Sequence, residues 1–190
     1  MDRPMTPLAG PGGTPIVAVV GWKNSGKTTL VTRLVAELTA RGLSVATVKH
    51  AHHGFAIDVD GTDSARHREA GARQVAIVSS ARIAVIKETG PGPEPRLRDA
   101  IAMLDPCDVL VVEGFKSAPV SKIEIRRRAS ASQVPLAPDD PWVVAIVADH
   151  ATDGAGRPVF EIDQIGAVAD FVETLRNRMR EDRSVPARPE

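Results

Sequence analysis

Two glycines, Gly21 and Gly26, enclose four residues and are followed by Lys27 and Thr28. In a glycine loop of this spacing, successive backbone N–H groups can point inward at phosphate oxygens. Lys27 would supply a point charge to the β- and γ-phosphates of a nucleotide, and the Thr28 hydroxyl would ligate Mg²⁺. The alternative is an ordinary glycine turn before a helix that happens to end in lysine and threonine.

The context of this loop favours phosphate binding. An apolar run at residues 15–20 precedes the loop and an amphipathic helix follows it, which is the order that a phosphate-binding P-loop requires. The start of that helix adds positive potential at the same place. The predicted nucleotide-binding residues of the loop are Gly21, Trp22, Lys23, Asn24, Ser25, Gly26, Lys27, Thr28 and Thr29.

Glu113 directly follows a second apolar run, at residues 109–112. A carboxylate at that position can hold Mg²⁺ through water, or it can orient the water that attacks the γ-phosphate. We predict that Glu113 is catalytic, that it holds the metal together with Thr28, and that the N–H of Gly114 reaches the same phosphate. An acidic residue at an ordinary strand end is the other interpretation.

Three histidines, His50, His52 and His53, follow the predicted second strand. Imidazole is a common ligand of Zn²⁺ and Ni²⁺, but no cysteine or histidine elsewhere in the sequence clearly completes a tetrahedral set. Strand ends in α/β sheets face the nucleotide crevice. A switch loop that contacts phosphate or a partner is therefore the favoured interpretation, with dedicated metal binding as the alternative.

The same loop contains three acids, Asp58, Asp60 and Asp63. Their carboxylates would face the Mg²⁺ if the loop folds toward the phosphates. Asp60 is accordingly a second catalytic candidate, and Asp58 and Asp63 are assigned to the switch or partner-facing loop. A solvated acidic loop is an equal alternative.

Asp149 follows the apolar run at residues 143–148. An acid at that strand end can read a guanine base by accepting hydrogen bonds from N1–H and from the exocyclic amine. A loop aspartate or a helix cap is the alternative. Three arginines at residues 126–128 would either clamp an anionic substrate or, in the safer interpretation, form a solvated edge.

Apolar runs and amphipathic stretches alternate along the chain, which predicts an α/β fold: a three-layer P-loop NTPase fold with a mostly parallel central sheet. Two strands are too close together for a crossover helix, so they should form an antiparallel hairpin within a mixed sheet. The strand at 122–126 alternates apolar and charged residues, as an edge or half-exposed strand does. Strands are predicted at residues 15–20, 44–49, 74–79, 82–88, 108–112, 122–126, 142–148 and 159–162, and helices at 28–40, 64–70, 96–104 and 164–179.

The chain is predicted to contain one nucleotide-binding domain, at residues 15–180. Proline and glycine in the first fourteen residues predict a flexible arm, and residues 181–190 a flexible tail. A connection rich in serine and proline at residues 126–141 is predicted to be mobile, with no role assigned.

Composition limits the classes of partner. The 24 basic and 24 acidic side chains balance, so attraction to nucleic acid or to a membrane surface is not expected. No apolar run reaches the ~18 residues of a membrane span. A single cysteine, Cys107, excludes an internal disulfide and fits a reducing cytoplasm.

The chain resembles the molybdopterin-guanine dinucleotide biosynthesis adaptor family over residues 15–178. The glycine loop alone is generic, whereas the segment Lys-His-Ala-His-His followed by Val-Glu-Gly-Phe-Lys is far more specific. The residues that carry the resemblance lie at 21–29, 48–53, 63–64, 68–72, 88–89 and 110–116.

The resemblance implies a P-loop GTPase that binds GTP with Mg²⁺, hydrolyses it weakly and forms a homodimer. It also implies association with the molybdenum cofactor guanylyltransferase and with molybdenum-insertion enzymes. Two alternatives remain open at this point. One is a small-molecule kinase, with Glu113 as the base and the arginines at 126–128 as a lid; the other is a nickel or zinc metallochaperone GTPase.

Overall fold

The structure is a computed structural model, which describes residues 7–51 and 59–184. The chain groups into two units, one formed by residues up to 50 and from 97 onward, and the other by residues 51–96. The predicted boundaries of arm, domain and tail stay a prediction.

Every helix and strand predicted above is present, with small shifts at the ends. The strands are β1 (Ile16–Val20), β2 (Val45–Lys49), β3 (Gln74–Val78), β4 (Ile83–Lys87), β5 (Val109–Glu113), β6 (Ser121–Arg126), β7 (Val143–Ala148) and β8 (Val159–Glu161). The helices are α1 (Lys27–Ala40), α2 (Asp63–Glu69), α3 (Leu97–Ile101) and α4 (Ile165–Ser184).

Two helices differ from prediction in length. α3 ends at Ile101 and passes into turns instead of reaching Leu104. α4 continues beyond the predicted end at 179, as far as Ser184.

The six-stranded sheet has the order β2-β5-β1-β6-β7-β8, and its strand pairings are parallel. β1 is buried along its length because both of its faces are covered. One core cluster joins Val17 to Leu34 of α1 and Val172 of α4, and the other joins Ala18 to Leu97 of α3. The three-layer α/β fold is therefore confirmed.

The prediction that β6 is an edge or half-exposed strand is wrong. β6 lies between β1 and β7, and its charged residues Lys122 and Glu124 are each only 1% exposed. Lys122 Nζ lies 2.6 Å from Asp140 Oδ2, and Glu124 Oε2 accepts a 2.8 Å hydrogen bond from Arg126 Nη2. The alternation of charge along β6 thus reflects buried ion pairs and not contact with solvent.

The hairpin of β3 and β4 is antiparallel, as predicted, but it is not part of a mixed sheet. The two strands form a separate two-stranded sheet within the unit of residues 51–96. Four of its large apolar side chains are exposed, namely Ile77, Val78, Ile83 and Val85. The hairpin therefore presents an apolar surface to solvent.

The connection at 127–141 is held at several points, contrary to the prediction of a mobile segment. The N–H of Ala131 donates to the carbonyl of Lys23 (2.9 Å), and Trp22 Nε1 donates to the carbonyl of Val134 (2.7 Å). Further along, the Glu124 carboxylate accepts hydrogen bonds from the N–H groups at 136 and 137. The buried charge of β6 and the glycine loop together fix the path of this connection.

Candidate nucleotide-binding site

The loop at residues 21–28 connects β1 to α1 and requires glycine at both of its predicted positions. A Cβ at Gly21 would lie 2.6 Å from Ser25 Oγ and 2.7 Å from the carbonyl oxygen of Ile125. Gly26, the residue before α1, has the left-handed φ of +85°. Only glycine accommodates both the close approach and this conformation without strain.

The polar groups of the loop fit a phosphate. Ser25 Oγ is buried and has no hydrogen-bond partner within the described part of the chain. The N–H groups of Lys27, Thr28 and Thr29, at the start of α1, likewise lack an acceptor among the described residues. Unpaired donors at a helix start, next to a buried hydroxyl, form the donor set that phosphate oxygens require.

Lys27 lies folded against the loop. Its Nζ donates to the carbonyl of Trp22 (2.8 Å) and to that of Gly21 (3.2 Å). Burial lowers the pKa of Lys27, the nearby Glu113 carboxylate partly offsets this, and Lys49 lowers the pKa further. The ammonium is thus already positioned in the loop. A bound anion would stabilise its charged form, which burial disfavours.

Thr28 and Glu113 come together across the site. The Thr28 hydroxyl donates to Glu113 Oε1 (2.8 Å), and the Glu113 residue is 9% exposed. Lys49, the last residue of β2, places its Nζ 3.3 Å from the same carboxylate oxygen. A hydroxyl and a carboxylate oxygen are ligands that Mg²⁺ prefers, so this pair fits the predicted metal.

The backbone after Glu113 does not behave as predicted. The N–H of Gly114 donates to the carbonyl of Val19 (3.0 Å), so it is not available to a phosphate. Gly114 has a φ of +92°, and a Cβ there would lie 2.9 Å from the Cβ of His50. His50 itself stacks on Phe115, with the ring centroids 4.5 Å apart. Gly114 therefore serves the packing of β1, β2 and β5 and not phosphate binding.

Lys116 is a second ammonium beside the loop. Its Nζ lies 3.7 Å from the ring centroid of Trp22, a cation–π contact. Burial lowers the pKa of Lys116, and repulsion from Lys27 lowers it further. Two lysines from other parts of the chain, Lys49 and Lys116, thus place positive charge beside the loop.

Asp149 is engaged with neighbouring groups. Its Oδ1 accepts a 3.0 Å hydrogen bond from the N–H of Arg128 and lies 2.7 Å from His150 Nδ1, while Oδ2 lies 3.4 Å from Arg127 Nε. These contacts, that of His150 first, lower the pKa of Asp149. Its reading of guanine stays a prediction.

The predicted solvated edge of three arginines is only partly present. The Arg126 side chain is 10% exposed and pairs with Glu124 and with the Thr152 hydroxyl. The Arg127 side chain lies beside the loop, with its Cδ 3.1 Å from the position of a Cβ at Gly26. Of the three arginines, only Arg128 is exposed, and the other two are partly buried.

Asp60 and Asp63 lie in the unit of residues 51–96, and both are exposed. Asp63 is the first residue of α2, whose start is capped by the Thr62 hydroxyl. Their predicted catalytic and switch roles stay predictions. His52, His53 and Asp58 lie outside the described residues. Within the part of the chain that the structure describes, histidine, cysteine and acidic side chains nowhere form a metal-binding group of three or more.

A cleft lies at the carboxyl ends of β6 and β7, next to Trp22 of the glycine loop. It holds about 310 Å³ of space, part of it open solvent. Its walls come from residues 124–127, from residues 130 and 132–135 of the connection, and from His150 and Thr152. The cleft therefore adjoins the glycine loop on the β6 side.

Comparison with known proteins identifies the family of this chain. The family model described as molybdopterin guanine dinucleotide synthesis protein B matches residues 16–149, which include the glycine loop, Glu113 and Asp149. The chain belongs to this family.

Named relatives and a solved structure support the assignment. The chain is 36% identical over 84% of its length to the molybdopterin-guanine dinucleotide biosynthesis adapter protein of Haemophilus influenzae, covering 88% of that protein. It is 32% identical over 87% of its length to the adapter protein of Escherichia coli, covering 95% of it. The crystal structure of Bacillus subtilis MobB matches with a TM-score of 0.63 and 30% identity, over 85% of this chain and 97% of that one.

Sequence reasoning missed three residues of the candidate site, namely Lys49 and Lys116 beside the glycine loop and His150 in the adjoining cleft. Lys49 could have been found, since it ends β2 as Glu113 ends β5, and the carboxyl ends of parallel strands share one edge of the sheet. Lys116 follows Glu113 by three residues, but its contact with Trp22 depends on a turn that spacing does not reveal. His150 was not considered because base recognition was assigned to its neighbour, Asp149.

Proposed function

We propose that this protein binds GTP with Mg²⁺ at the glycine loop and acts as an adapter in the synthesis of the guanine dinucleotide form of molybdenum cofactor. The hydrogen bond between Thr28 and Glu113 carries the nucleotide part of the proposal, because it joins a hydroxyl and a carboxylate beside the loop's unpaired donors. Family membership supports the pathway, since the curated relatives are named as adapter proteins of that synthesis.

Each residue of the site has a separate task in this proposal. The N–H groups at the start of α1, Ser25 and Lys27 bind the phosphates, and Thr28 and Glu113 hold the metal. When bound, Mg²⁺ neutralises charge on the phosphate oxygens. The second oxygen of Glu113 orients the attacking water and can hold its proton.

Hydrolysis by the isolated protein is expected to be slow. Arg127 is an arginine beside the loop, but it lies on the β6 side, near Gly26, and its Nε faces Asp149. Glu113 is on the β5 side. An arginine supplied by a partner can accelerate hydrolysis by ~10³–10⁵, so we propose that turnover rises in the complex.

Nucleotide binding is tested by titration calorimetry with GTP and ATP in the presence of Mg²⁺. Replacing Lys27 with alanine removes the charge that meets the phosphates, so affinity for GTP should fall by about a hundredfold or more. Lys87→Ala, on an exposed position of β4, is the control and should bind as the wild type does. Unchanged affinity in a folded Lys27→Ala protein would exclude the loop as the binding site.

The fate of the phosphate distinguishes this proposal from a kinase. With radiolabelled GTP, label should appear as free phosphate; transfer to a metabolite would instead favour the small-molecule kinase. Titration with Ni²⁺ and Zn²⁺ tests the metallochaperone alternative, which rests on His50, His52 and His53.

The proposed partners are the guanylyltransferase that attaches GMP to molybdopterin and the enzymes that insert molybdenum, in the cytoplasm. The sole cysteine, Cys107, is a free thiol, which suits a reducing compartment. None of the described helices is long and apolar enough to cross a membrane. Affinity capture from molybdate-grown cells should recover the guanylyltransferase, identified by mass spectrometry; a capture without it contradicts this partner.

A homodimer is also proposed. The exposed apolar residues of β3 and β4 support it, since a second copy covering them would remove that surface from water. Val78 and Ile83 are directly paired across the hairpin and both 70% exposed. Sedimentation of a Val78→Lys, Ile83→Lys variant should show monomer where the wild type shows dimer. A dimer that persists in the variant excludes this surface.

A further inference from the structure

The cleft beside Trp22 is placed to receive the nucleoside of a bound nucleotide. In the strand order β5-β1-β6-β7, Glu113 ends β5 on one side of the glycine loop, and the cleft lies at the ends of β6 and β7 on the other. A triphosphate that meets Thr28 and Glu113 at its γ end therefore directs its nucleoside toward the cleft. This step rests on the proposed function.

The connection at 127–141 gives the cleft a fixed wall. It is attached to the loop by the hydrogen bonds Ala131–Lys23 and Trp22–Val134. Within the connection, Gln133 Nε2 donates to the carbonyls of Arg127 (3.0 Å) and Arg128 (3.3 Å) and so holds two parts of it together. With the nitrogen end of the amide occupied, the oxygen end of Gln133 remains as an acceptor on this wall.

Asp149 does not line the cleft, whereas His150 does. Asp149 Oδ1 lies 2.7 Å from His150 Nδ1, and an ionised carboxylate only accepts hydrogen bonds. In the neutral imidazole the ring proton is therefore on Nδ1, and Nε2 is an acceptor. Nε2 has no hydrogen-bond partner among the described residues, and the side chain is only 19% exposed.

We propose that His150, held by Asp149, contacts the nucleotide base, and that Asp149 acts as its positioning residue. The cleft offers two acceptors, His150 Nε2 and Gln133 Oε1. Guanine presents two adjacent donors, N1–H and the N2 amine, whereas the same edge of adenine presents one donor and one acceptor. Two acceptors match the two donors of guanine and not the mixed edge of adenine, and the N2 amine of guanine is the group assigned to His150.

The test compares GTP, inosine triphosphate and inorganic tripolyphosphate, titrated with Mg²⁺ into the full chain. Inosine triphosphate lacks the N2 amine, and tripolyphosphate lacks the nucleoside altogether. The variants are His150→Ala, His150→Gln, which retains an acceptor, and the control His67→Ala, an exposed histidine of α2 that does not line the cleft.

The wild type should bind GTP at least tenfold more tightly than either analogue, which corresponds to ~1.4 kcal/mol. His150→Ala should abolish the preference for GTP over inosine triphosphate and leave the affinity for tripolyphosphate unchanged. His150→Gln should retain part of that preference, and His67→Ala all of it. Unchanged tripolyphosphate binding also shows that the variants fold.

Two results overturn the proposal while leaving the phosphate site intact. One is a full preference for GTP in His150→Ala. The other is a gain of preference for xanthosine triphosphate in Asp149→Asn, which would assign the reading of the base to Asp149, because an amide donor matches the C2 carbonyl of xanthine. If the wild type bound neither GTP nor tripolyphosphate, the proposed function itself would fail.

Discussion

The Thr28 hydroxyl donates a 2.8 Å hydrogen bond to Glu113 Oε1 and so joins the start of α1 to the end of β5. Lys49 Nζ lies within 3.4 Å of both side-chain oxygens. An ammonium thus stands beside the two oxygens assigned to the metal, and binding of Mg²⁺ would place a second cation next to Lys49. Separation of Lys49 from this pair is therefore expected when the metal binds.

Replacing Glu113 with glutamine should separate binding from hydrolysis. The amide retains an oxygen that can accept from Thr28, but it loses the charge that attracts metal and holds a proton. We expect GTP affinity within about threefold of wild type and turnover lowered by about tenfold or more. Phosphate release under single-turnover conditions measures this. Glu161→Gln, at the exposed end of β8, is the control, and full turnover in Glu113→Gln would remove Glu113 from the mechanism.

Replacing Gly21 with alanine should damage the loop, because the new methyl group would lie 2.6 Å from Ser25 Oγ, a proposed phosphate ligand. The methyl group would also lie 2.7 Å from the carbonyl oxygen of Ile125, part of the backbone of β6, which cannot move freely. A loss of roughly 1–3 kcal/mol in the free energy of unfolding is expected, together with weaker GTP binding. Gly92→Ala is the control, because nothing lies within 4 Å of a Cβ there. Equal stability of the two variants would contradict the described geometry.

Replacing Glu124 with glutamine should be among the most destabilising changes on β6. It removes the charge that faces Arg126, whose side chain is itself only 10% exposed. Leaving a buried charge unpaired costs about 3–5 kcal/mol, whereas an exposed pair is worth up to about 1 kcal/mol. Urea unfolding should show this contrast against Glu37→Gln, whose partner Arg41 is an exposed residue directly after α1. Comparable small losses in both variants would mean that Glu124 is not buried as described.

Asp108 should contribute stability that acid removes. Hydrogen bonds from the N–H and hydroxyl of Ser44, with a smaller effect of Arg180, lower the pKa of Asp108 from its ordinary value of 3.8 to about 2. Because the folded pKa is the lower one, this stability is present above pH 3.8 and is lost as pH falls toward 2. The side chain is 32% exposed, so after solvent screening the effect is about 1 kcal/mol or less.

Denaturant unfolding of wild type and Asp108→Asn at pH 7 and at pH 2.5 tests this. The lower pH is roughly one unit below the ordinary pKa of the carboxyl, where part of the stabilisation should be lost. The wild type should be the more stable protein at pH 7, and the difference in the free energy of unfolding between the two proteins should be smaller at pH 2.5. Asp105→Asn, at an exposed position three residues earlier, should leave the pH profile unchanged. A gap of equal size at both pH values would show that the ionised carboxylate is not responsible.

The glycine loop and the α/β fold could be predicted from the sequence because their signals are local. Spacing alone identifies Gly21, Gly26 and Lys27, and an apolar run identifies β1 whichever strands lie beside it. β6 was misassigned because charge alternation looks the same whether Lys122 meets water or Asp140. That distinction depends on a contact across eighteen residues of chain.

The prediction for Gly114 is wrong for the same reason. Its position after Glu113 suggested a phosphate donor, but its N–H is used by Val19, a pairing set by the order of strands in the sheet. The position of Glu113 itself could be predicted, since it depends only on where β5 ends. Contacts made through tertiary packing, such as that of Lys116 with Trp22, are beyond what local patterns contain.

β1 hydrogen-bonds to β5 and β6 and not to β2, so Ile16 is paired with Leu110, and Val17 with Ser121. During synthesis, β1 and the glycine loop leave the ribosome long before their partner strands exist. Closing so long a stretch of chain costs entropy and slows folding, since pairings distant in sequence form late. The loop also packs against Ile125. A nascent chain therefore assembles the proposed nucleotide site only after most of it has been translated, and a truncated product ending before β6 would lack that site.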